Sequence, residues 1–562
     1  MTMKTTFLFF AFLFFLPFYS SSKDKSTNPI PSKVQLHWLD TERIMFVHFG
    51  PATWQHREYD NLTTPLERIN PTQLNTDQWC EVAKSWDAKM ILFVAKHVGG
   101  FCWWDTQTTH NNSMNTPIKR DILREVSESC KKYGLDLGVY VYPGDGDWGA
   151  GIGSGGITTD PSKQEAYNKV LRTQLKEVWN NYGPIREIWF DGSCKIYIDD
   201  ILTPHLDEAV VLQSPLTNLR WVGNEDGIAP DPNWATLDSA DLKTGVSTAF
   251  HSTSDGDAYA PIECDVPFLK NGGHKWFWAP GTDSLMMTRE QFVDLYYKSV
   301  GRGSVLLLNS TPDTTGLIPS AHVARYKEFG EEIRRRFDYP VGSTSGNGKV
   351  ITLKLKQSES IDHVVLQEKL EYGQRVLKYQ VETSSDAKNW QKVVEGTSIG
   401  NKKIDFLNSV EACYIRLTIL ESKDKPRIRT FAVYHVGVDM ELNEQKEEII
   451  RLGGWDQDTF GKEFSDYEID LTPYVNEIGE YELFFRTIAR DRSVRGSGLE
   501  FKDWKLNIYG QEHPELIKAK PYRFFITRSQ QTLDDFKTIF KVQAKSTGGS
   551  SIGDIQLRRI TY

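Results

Sequence analysis

Between about residues 35 and 335, short apolar runs alternate with longer stretches in which apolar residues recur every three or four positions. The short runs read as strands buried on both faces, the longer stretches as helices with one covered side, and their alternation as βα units around a parallel sheet. Ile44–His48, Met90–Ala95, Gly138–Tyr142 and Ile188–Asp191 are the first four expected strands. Trp79, Val82, Ala83 and Trp86 lie at helical spacing between the first two. Asp160-Pro161 reads as a cap and first-turn proline, opening a helix whose stripe is Tyr167, Leu171, Leu175 and Val178. After the fourth strand the signal weakens. Ala209–Leu212, Trp221–Asn224 and Ile262–Val266 are expected strands set among loops rich in Pro, Gly and Asp. Thr288-Arg-Glu-Gln291 is a capping box opening a helix before the eighth run, Ser304–Asn309. Eight units predict a (β/α)8-type barrel over residues 33–336, with a doubly wound open sheet as the alternative.

Beyond Arg336 the period shortens to two: Lys378–Thr383 and Tyr414–Ile419 alternate, with a turn over Ser384–Lys388. This texture predicts a β-sandwich domain over 337–440, a charged linker at 441–448 and a further β-rich domain over 449–562. At the other end, Lys4, an apolar run from Phe7 to Phe18 and then Ser20–Ser22 have the form of a signal peptide over 1–22. The expected product is secreted and extracellular. No later segment approaches the roughly 20 apolar residues of a membrane helix, so no membrane span is expected. Asn61, Asn111 and Asn309 sit in N-glycosylation triplets; Asn309 ends an apolar run and is expected to be buried rather than modified.

Composition narrows the function classes. With 66 Lys and Arg against 75 Asp and Glu there is no basic excess to hold a phosphate backbone, and nucleic acid is not an expected partner. The 16 Trp, 23 Tyr and 29 Phe suit sugar-binding clefts and cores alike. The 6 Cys include no C-x-x-C pair and the 12 His no H-E-x-x-H, so neither a metal nor another cofactor is expected.

The chemistry-bearing side chains collect at the expected C-terminal tips of successive strands: His48, His97, Tyr140, Asp191, Glu225 and Glu263. A single Asp after a strand also serves as a turn former or cap. Six tips in succession converge on one face of a barrel, where active sites of that fold are built. A retaining glycosidase needs a carboxylate nucleophile and a second carboxyl as acid and then base, about 5 to 5.5 Å apart. Asp191, short and followed by Gly192, fits the nucleophile, and Glu263 or Glu225 the acid. Trp54, Trp103, Trp104, Trp189, Trp276 and Trp278 are candidate walls for a sugar ring. The competing readings are a carbohydrate-binding protein without turnover and a metal-dependent hydrolase built on His48 and His97.

Several motifs together carry a family resemblance: His48-Phe49-Gly50, Arg57-Glu58, Ala95-Lys96-His97, Trp189-Phe190-Asp191-Gly192, Arg220 to Glu225 and Ile262 to Val266. In these the chain resembles the α-L-fucosidases of glycoside hydrolase family 29, in their secreted plant form. The resemblance implies a retaining exo-hydrolase acting on an oligosaccharide or glycoprotein glycan, with Asp191 as nucleophile. It implies Glu263 as acid/base, as in the branch that prefers α-1,3- or α-1,4-linked fucose, and His48, Glu58, His97, Tyr140 and Trp189 as the groups that hold the sugar. The chain departs from the family pattern at His97-Val98, where two histidines are common, and at Tyr59, where a Trp often stands. Residues 379–393 resemble a discoidin-type galactose-binding sandwich, for which a supporting role is expected first.

Overall fold

The computed structural model describes residues 28–271, 275–437 and, in segments, 449–560. The expected signal peptide and charged linker lie outside the described residues. Eight parallel strands, β1 (Arg43–Val47), β2 (Met90–Lys96), β3 (Asp136–Val141), β4 (Ile185–Trp189), β5 (Val210–Leu212), β6 (Arg220–Trp221), β7 (Ile262–Val266) and β8 (Val305–Ser310), form one sheet in the order β5-β4-β3-β2-β1-β8-β7-β6. The ends of that order, β5 and β6, are consecutive in sequence, so the sheet is a nearly closed barrel rather than an open doubly wound sheet. Eight helices accompany it: α1 (Lys33–Leu39), α2 (Pro51–Gln55), α3 (Thr76–Ser85), α4 (Ile122–Tyr133), α5 (Gln164–Asn181), α6 (Asp199–Leu202), α7 (Arg289–Lys298) and α8 (Ser320–Phe337).

Alternate residues of each strand go to opposite sides. Ile44, Phe46, Met90, Leu92, Tyr140, Trp189, Val305 and Leu307 cluster inside the barrel, while Met45, Val47, Ile91, Phe93, Leu306 and Leu308 pack outward against helix residues such as Trp79, Val82, Ala83, Tyr326 and Phe329. Local signals place the helices. Asp121 accepts from the Arg124 amide at 3.0 Å to start α4, and Gly134, in the left-handed region at φ 66°, ends it. The expected capping box of Thr288 and Gln291 is formed at α7. At Asp160-Pro161 the first turn is a 3₁₀ turn, Pro161–Lys163, and α5 proper begins at Gln164.

The β5 to β7 side is built differently. β5 has three residues and β6 two, shorter than expected, and the chain between β6 and β7 carries an antiparallel ribbon (Thr236–Leu237 with Ala258–Tyr259) instead of a long helix. Side chains replace the missing ladder. Asn218 accepts from the Val211 amide at 2.7 Å, and the buried Arg220 guanidinium donates to the carbonyls of Ala260 (2.8 Å) and Trp234 (2.5 Å).

Residues 342–434 form a six-stranded antiparallel sheet. Its two long strands, Val350–Glu368 and Lys403–Ser422, pair with register shifts between Lys354 and Glu359 and between Ile361 and His363. Such bulges bend a ribbon over a core, which here includes Val364, Tyr379, Leu417 and Phe431. This sandwich meets the barrel at the N-terminal ends of its strands. Lys402 pairs with Glu42 just before β1, Asn401 donates to the Leu39 carbonyl at 3.2 Å, and Lys403 binds both oxygens of Asp231 at 2.8 Å. Within 449–560 the described strands form two four-stranded antiparallel sheets around a core that includes Leu471, Leu483, Phe540 and Leu557.

Candidate active site

A cavity of about 440 Å³ opens at the C-terminal end of the barrel strands, and every residue lining it belongs to the barrel. Seven of the eight candidate residues meet there: His48 after β1, Glu58 after α2, His97 after β2, Tyr140 in β3, Trp189 and Asp191 at and beyond β4, and Glu225 after β6. Glu263 does not line it.

Asp191 stands where β4 ends. Gly192 and Ser193 follow in left-handed conformation, φ 67° and 69°, so the chain turns away sharply and leaves the carboxylate facing the cavity. The Tyr140 hydroxyl donates to Asp191 Oδ2 at 2.8 Å. Burial and the adjacent negative charge push the Tyr140 phenol well above its ordinary range, which keeps it a donor. Burial likewise raises Asp191, to about 6; the Tyr140 hydroxyl and the Gly192 amide oppose the rise, and the nearby Glu225 carboxylate adds to it. Two carboxyls that feel each other across one cavity, one of them stabilised as an anion by two donors, are equipped for nucleophile and acid/base roles.

The histidines are neutral for physical reasons. His48 lies 2.7 Å from Asn309 Oδ1 through Nδ1, and since that oxygen only accepts, Nδ1 carries the proton and Nε2 is left as an acceptor. Burial holds His48 well below its usual range and His97 at about 4. Asn309 spans the top of β8, its amide donating to the Trp276 carbonyl at 2.9 Å. Glu58 accepts from the Trp276 amide at 2.7 Å and pairs with Lys275 at 3.4 Å, so the 275–276 segment is tied to both sides of the cavity. Neutral imidazoles, a phenol and carboxylates around an aromatic wall of Phe46, Trp189, Trp221 and Trp276 fit a hydroxylated ring. Among the described residues no three His, Cys, Asp or Glu converge as a metal site.

Glu263 lies apart from the other seven candidates. Glu263 is the second residue of β7, paired in register with Val305 and Trp221, and it is 0% exposed. Its Oε2 accepts from the Trp189 indole at 2.7 Å, beneath the cavity. The β7 residue that reaches the cavity is Asp265, one strand period nearer the tip, and its Oδ1 accepts from the Trp221 indole at 2.6 Å. Burial, and then Glu225, raise Asp265 well above its ordinary range. Alternation already put Glu263 and Asp265 on one face; it carries no information on how far along the strand the tip lies. Arg57, Tyr59, Gln213 and Asp265 also line the cavity without having been singled out as site residues, and Gln213, in an irregular turn at φ 60°, leaves no trace in the pattern. Of the candidate walls, Trp189 and Trp276 line the cavity, whereas Trp103 and Trp104 are core residues that donate to the Phe49 carbonyl (2.6 Å) and to Glu177 (2.9 Å).

Comparison with known proteins agrees with this fold. The α-L-fucosidase family model matches residues 18–335, and an F5/8 type C domain model matches 335–431. Alpha-L-fucosidase 1 of Arabidopsis thaliana is 28% identical over 72% of this chain and 87% of its own, and a putative α-L-fucosidase 1 of rice is 29% identical over 72% and 85%. Among solved structures, a putative α-L-fucosidase of Bacteroides thetaiotaomicron superposes with a TM-score of 0.68 at 30% identity over 73% of this chain and 99% of that one. A family 29 fucosidase of Ruminococcus gnavus in complex with fucose reaches 0.62 at 25% over 72% and 95%. With the family model spanning more than half of its length, the chain belongs to the α-L-fucosidase family, glycoside hydrolases that release fucose.

Proposed function

We propose that the protein is a retaining exo-α-L-fucosidase in which Asp191 is the nucleophile and Glu225, rather than Glu263, is the acid/base. The observation that carries this is the placement of Asp191 and Glu225 in one cavity, where the Glu225 carboxylate raises Asp191 while Tyr140 and the Gly192 amide hold the Asp191 anion. In the first step Asp191 attacks C1 of fucose while Glu225 gives its proton to the glycosidic oxygen, and the aglycone leaves as an alcohol. In the second, Glu225 takes a proton from water, the water oxygen attacks C1, and the Asp191 ester breaks to return the carboxylate. A cavity at the mouth of the barrel, lined by side chains from the strand tips, supports action on a terminal residue.

The linkage reading, α-1,3 or α-1,4 on N-glycans or Lewis-type glycans, comes from the family resemblance, and the apolar stretch at residues 7–18 supports a secreted, apoplastic enzyme. The test compares Lewis-a trisaccharide with an α-1,2-fucosylated glycan, using wild type, Asp191→Ala and Glu225→Ala. The expected result is release from the first glycan only and its loss in both variants. Added azide should then yield β-fucosyl azide with Asp191→Ala and α-fucosyl azide with Glu225→Ala. Azide rescue in Glu263→Ala but not in Glu225→Ala would return the acid/base role to Glu263.

A further inference from the structure

We infer that Glu187 and Glu263 share one proton and, so joined, form an anchor across the barrel beneath the cavity that fixes the indole of Trp189; Glu263 is thus a positioning residue. Both carboxyls are 0% exposed. Each uses one oxygen on an indole: Glu187 Oε2 accepts from Trp38 of α1 at 2.8 Å, and Glu263 Oε2 from Trp189 at 2.7 Å. The other oxygen of each, Oε1, is buried with no N–H or O–H of another residue to satisfy it. The two side chains lie close enough that each shifts the ionisation of the other. Two carboxylates have only acceptors, so a hydrogen bond between them requires a proton on one. A single proton between the facing oxygens satisfies both buried atoms at once, where two anions would stand unpartnered in an apolar barrel.

The surroundings favour retention of that proton. Beside Glu263 in the sheet stand Val305 and Trp221, and beside Glu187 stand Gly138 and Val210, none of them titratable below the alkaline range. The strongest charged influence on Glu263 besides Glu187 is Asp265, another acid. Burial accordingly lifts Glu187 to about 7 and Glu263 well above its ordinary range. The result is a hydrogen-bonded line from Trp38 through Glu187 and Glu263 to Trp189. Trp189 stacks on Tyr140 with centroids 5.3 Å apart and planes at 19°, and Tyr140 donates to Asp191. Glu263 therefore acts on the nucleophile through two aromatic side chains. This role rests on the reading of Asp191 as nucleophile; the shared proton does not.

Two measurements on the full-length protein test it. The first is activity on a glycan and on an aryl fucoside with a good leaving group. Glu263→Ala is expected to lower kcat/KM about 30-fold on both substrates, because the indole loses its acceptor. Glu263→Gln, which keeps an acceptor for Trp189 and gives a donor to Glu187, should restore most of it. Glu263→Gln as inactive as Glu263→Ala on the glycan while the aryl fucoside is still cleaved would overturn the proposal and make Glu263 the proton donor. The second is melting temperature against pH. Unfolded carboxyls ionise near 4.5, whereas burial raises both carboxyls of the folded pair above that, so this stability is complete below about 4.5 and is lost as pH rises through the raised folded values. The wild type should lose melting temperature over that window, and Glu187→Gln and Glu263→Gln should lose less. Equal slopes in all three would remove the shared proton, whatever the activity shows. Full activity in Asp191→Ala would instead sink the catalytic reading and leave the melting result standing.

Discussion

Tyr140 donates its hydroxyl to Asp191 at 2.8 Å while its ring lies against Trp189 on one side, 5.3 Å between centroids, and against His97 on the other, 5.8 Å and 18° from parallel. A phenol flanked by two rings has little freedom to rotate, so the direction of its O–H is fixed before substrate arrives. The donor that steadies the nucleophile is thus preorganised.

Tyr140→Phe keeps the ring packing and removes that donor. A hydrogen bond to a charged group contributes about 1.5 to 3 kcal/mol, so kcat/KM should fall about 10- to 100-fold. Loss of a donor to an anion also disfavors the anion, so the acidic limb of the pH profile should move to higher pH. A limb that moved lower would contradict the assignment of Tyr140 as the donor to Asp191.

The wild-type acidic limb follows from the same environment. Asp191 must be ionised to attack, and burial holds it protonated up to about 6. In kcat/KM against pH, activity should therefore be lost as pH falls through about 6 rather than near the ordinary aspartate range. A limb near 4 would mean that Asp191 is more open to water than its cavity indicates.

Legibility in the sequence tracked the kind of force at work. β1 to β4 and the helices between them are held by apolar burial, which leaves a readable period, and His48, His97, Tyr140 and Asp191, all lining the cavity, lie at or near the ends of those runs. The β5 to β7 side is held by Asn218 and Arg220 reaching backbone atoms, and a polar side chain that replaces a ladder leaves no period to read. The placement of Glu263 depends on information of another kind. One strand period separates Glu263 from Asp265, about 6.6 Å along β7, and that distance decides between the barrel interior and the cavity.

Asn309 illustrates a residue whose motif misleads. It sits in an N-glycosylation triplet, yet it is fully buried and links His48 to the Trp276 carbonyl. Asn309→Ala removes the acceptor of the buried His48 N–H, at about 1 to 3 kcal/mol for that group. Melting temperature should drop, KM for fucosides should rise, and the mass of the expressed protein should show no lost glycan. A glycan-sized mass difference would show that Asn309 reaches the surface during synthesis.

Gly138 makes room for the carboxyl anchor. It lies opposite Glu187 in the register of β3 and β4, and a Cβ there would stand 2.8 Å from Leu92 Cδ1 and 3.3 Å from both Glu187 Cβ and Met90 Sδ. The clash is steric, since the backbone is ordinary strand. Overpacking of this kind costs about 1 to 3 kcal/mol, and Gly138→Ala should lower the melting temperature accordingly. Leu92→Val removes the atom that would be struck first, and as a single change it should be mildly destabilising. The two effects cannot be independent, because one supplies the space the other needs. Gly138→Ala with Leu92→Val should therefore melt higher than the sum of the single losses predicts. Strict additivity would mean that the barrel accommodates residue 138 by moving Glu187 instead, and kcat/KM of Gly138→Ala would then fall through the displaced Trp189.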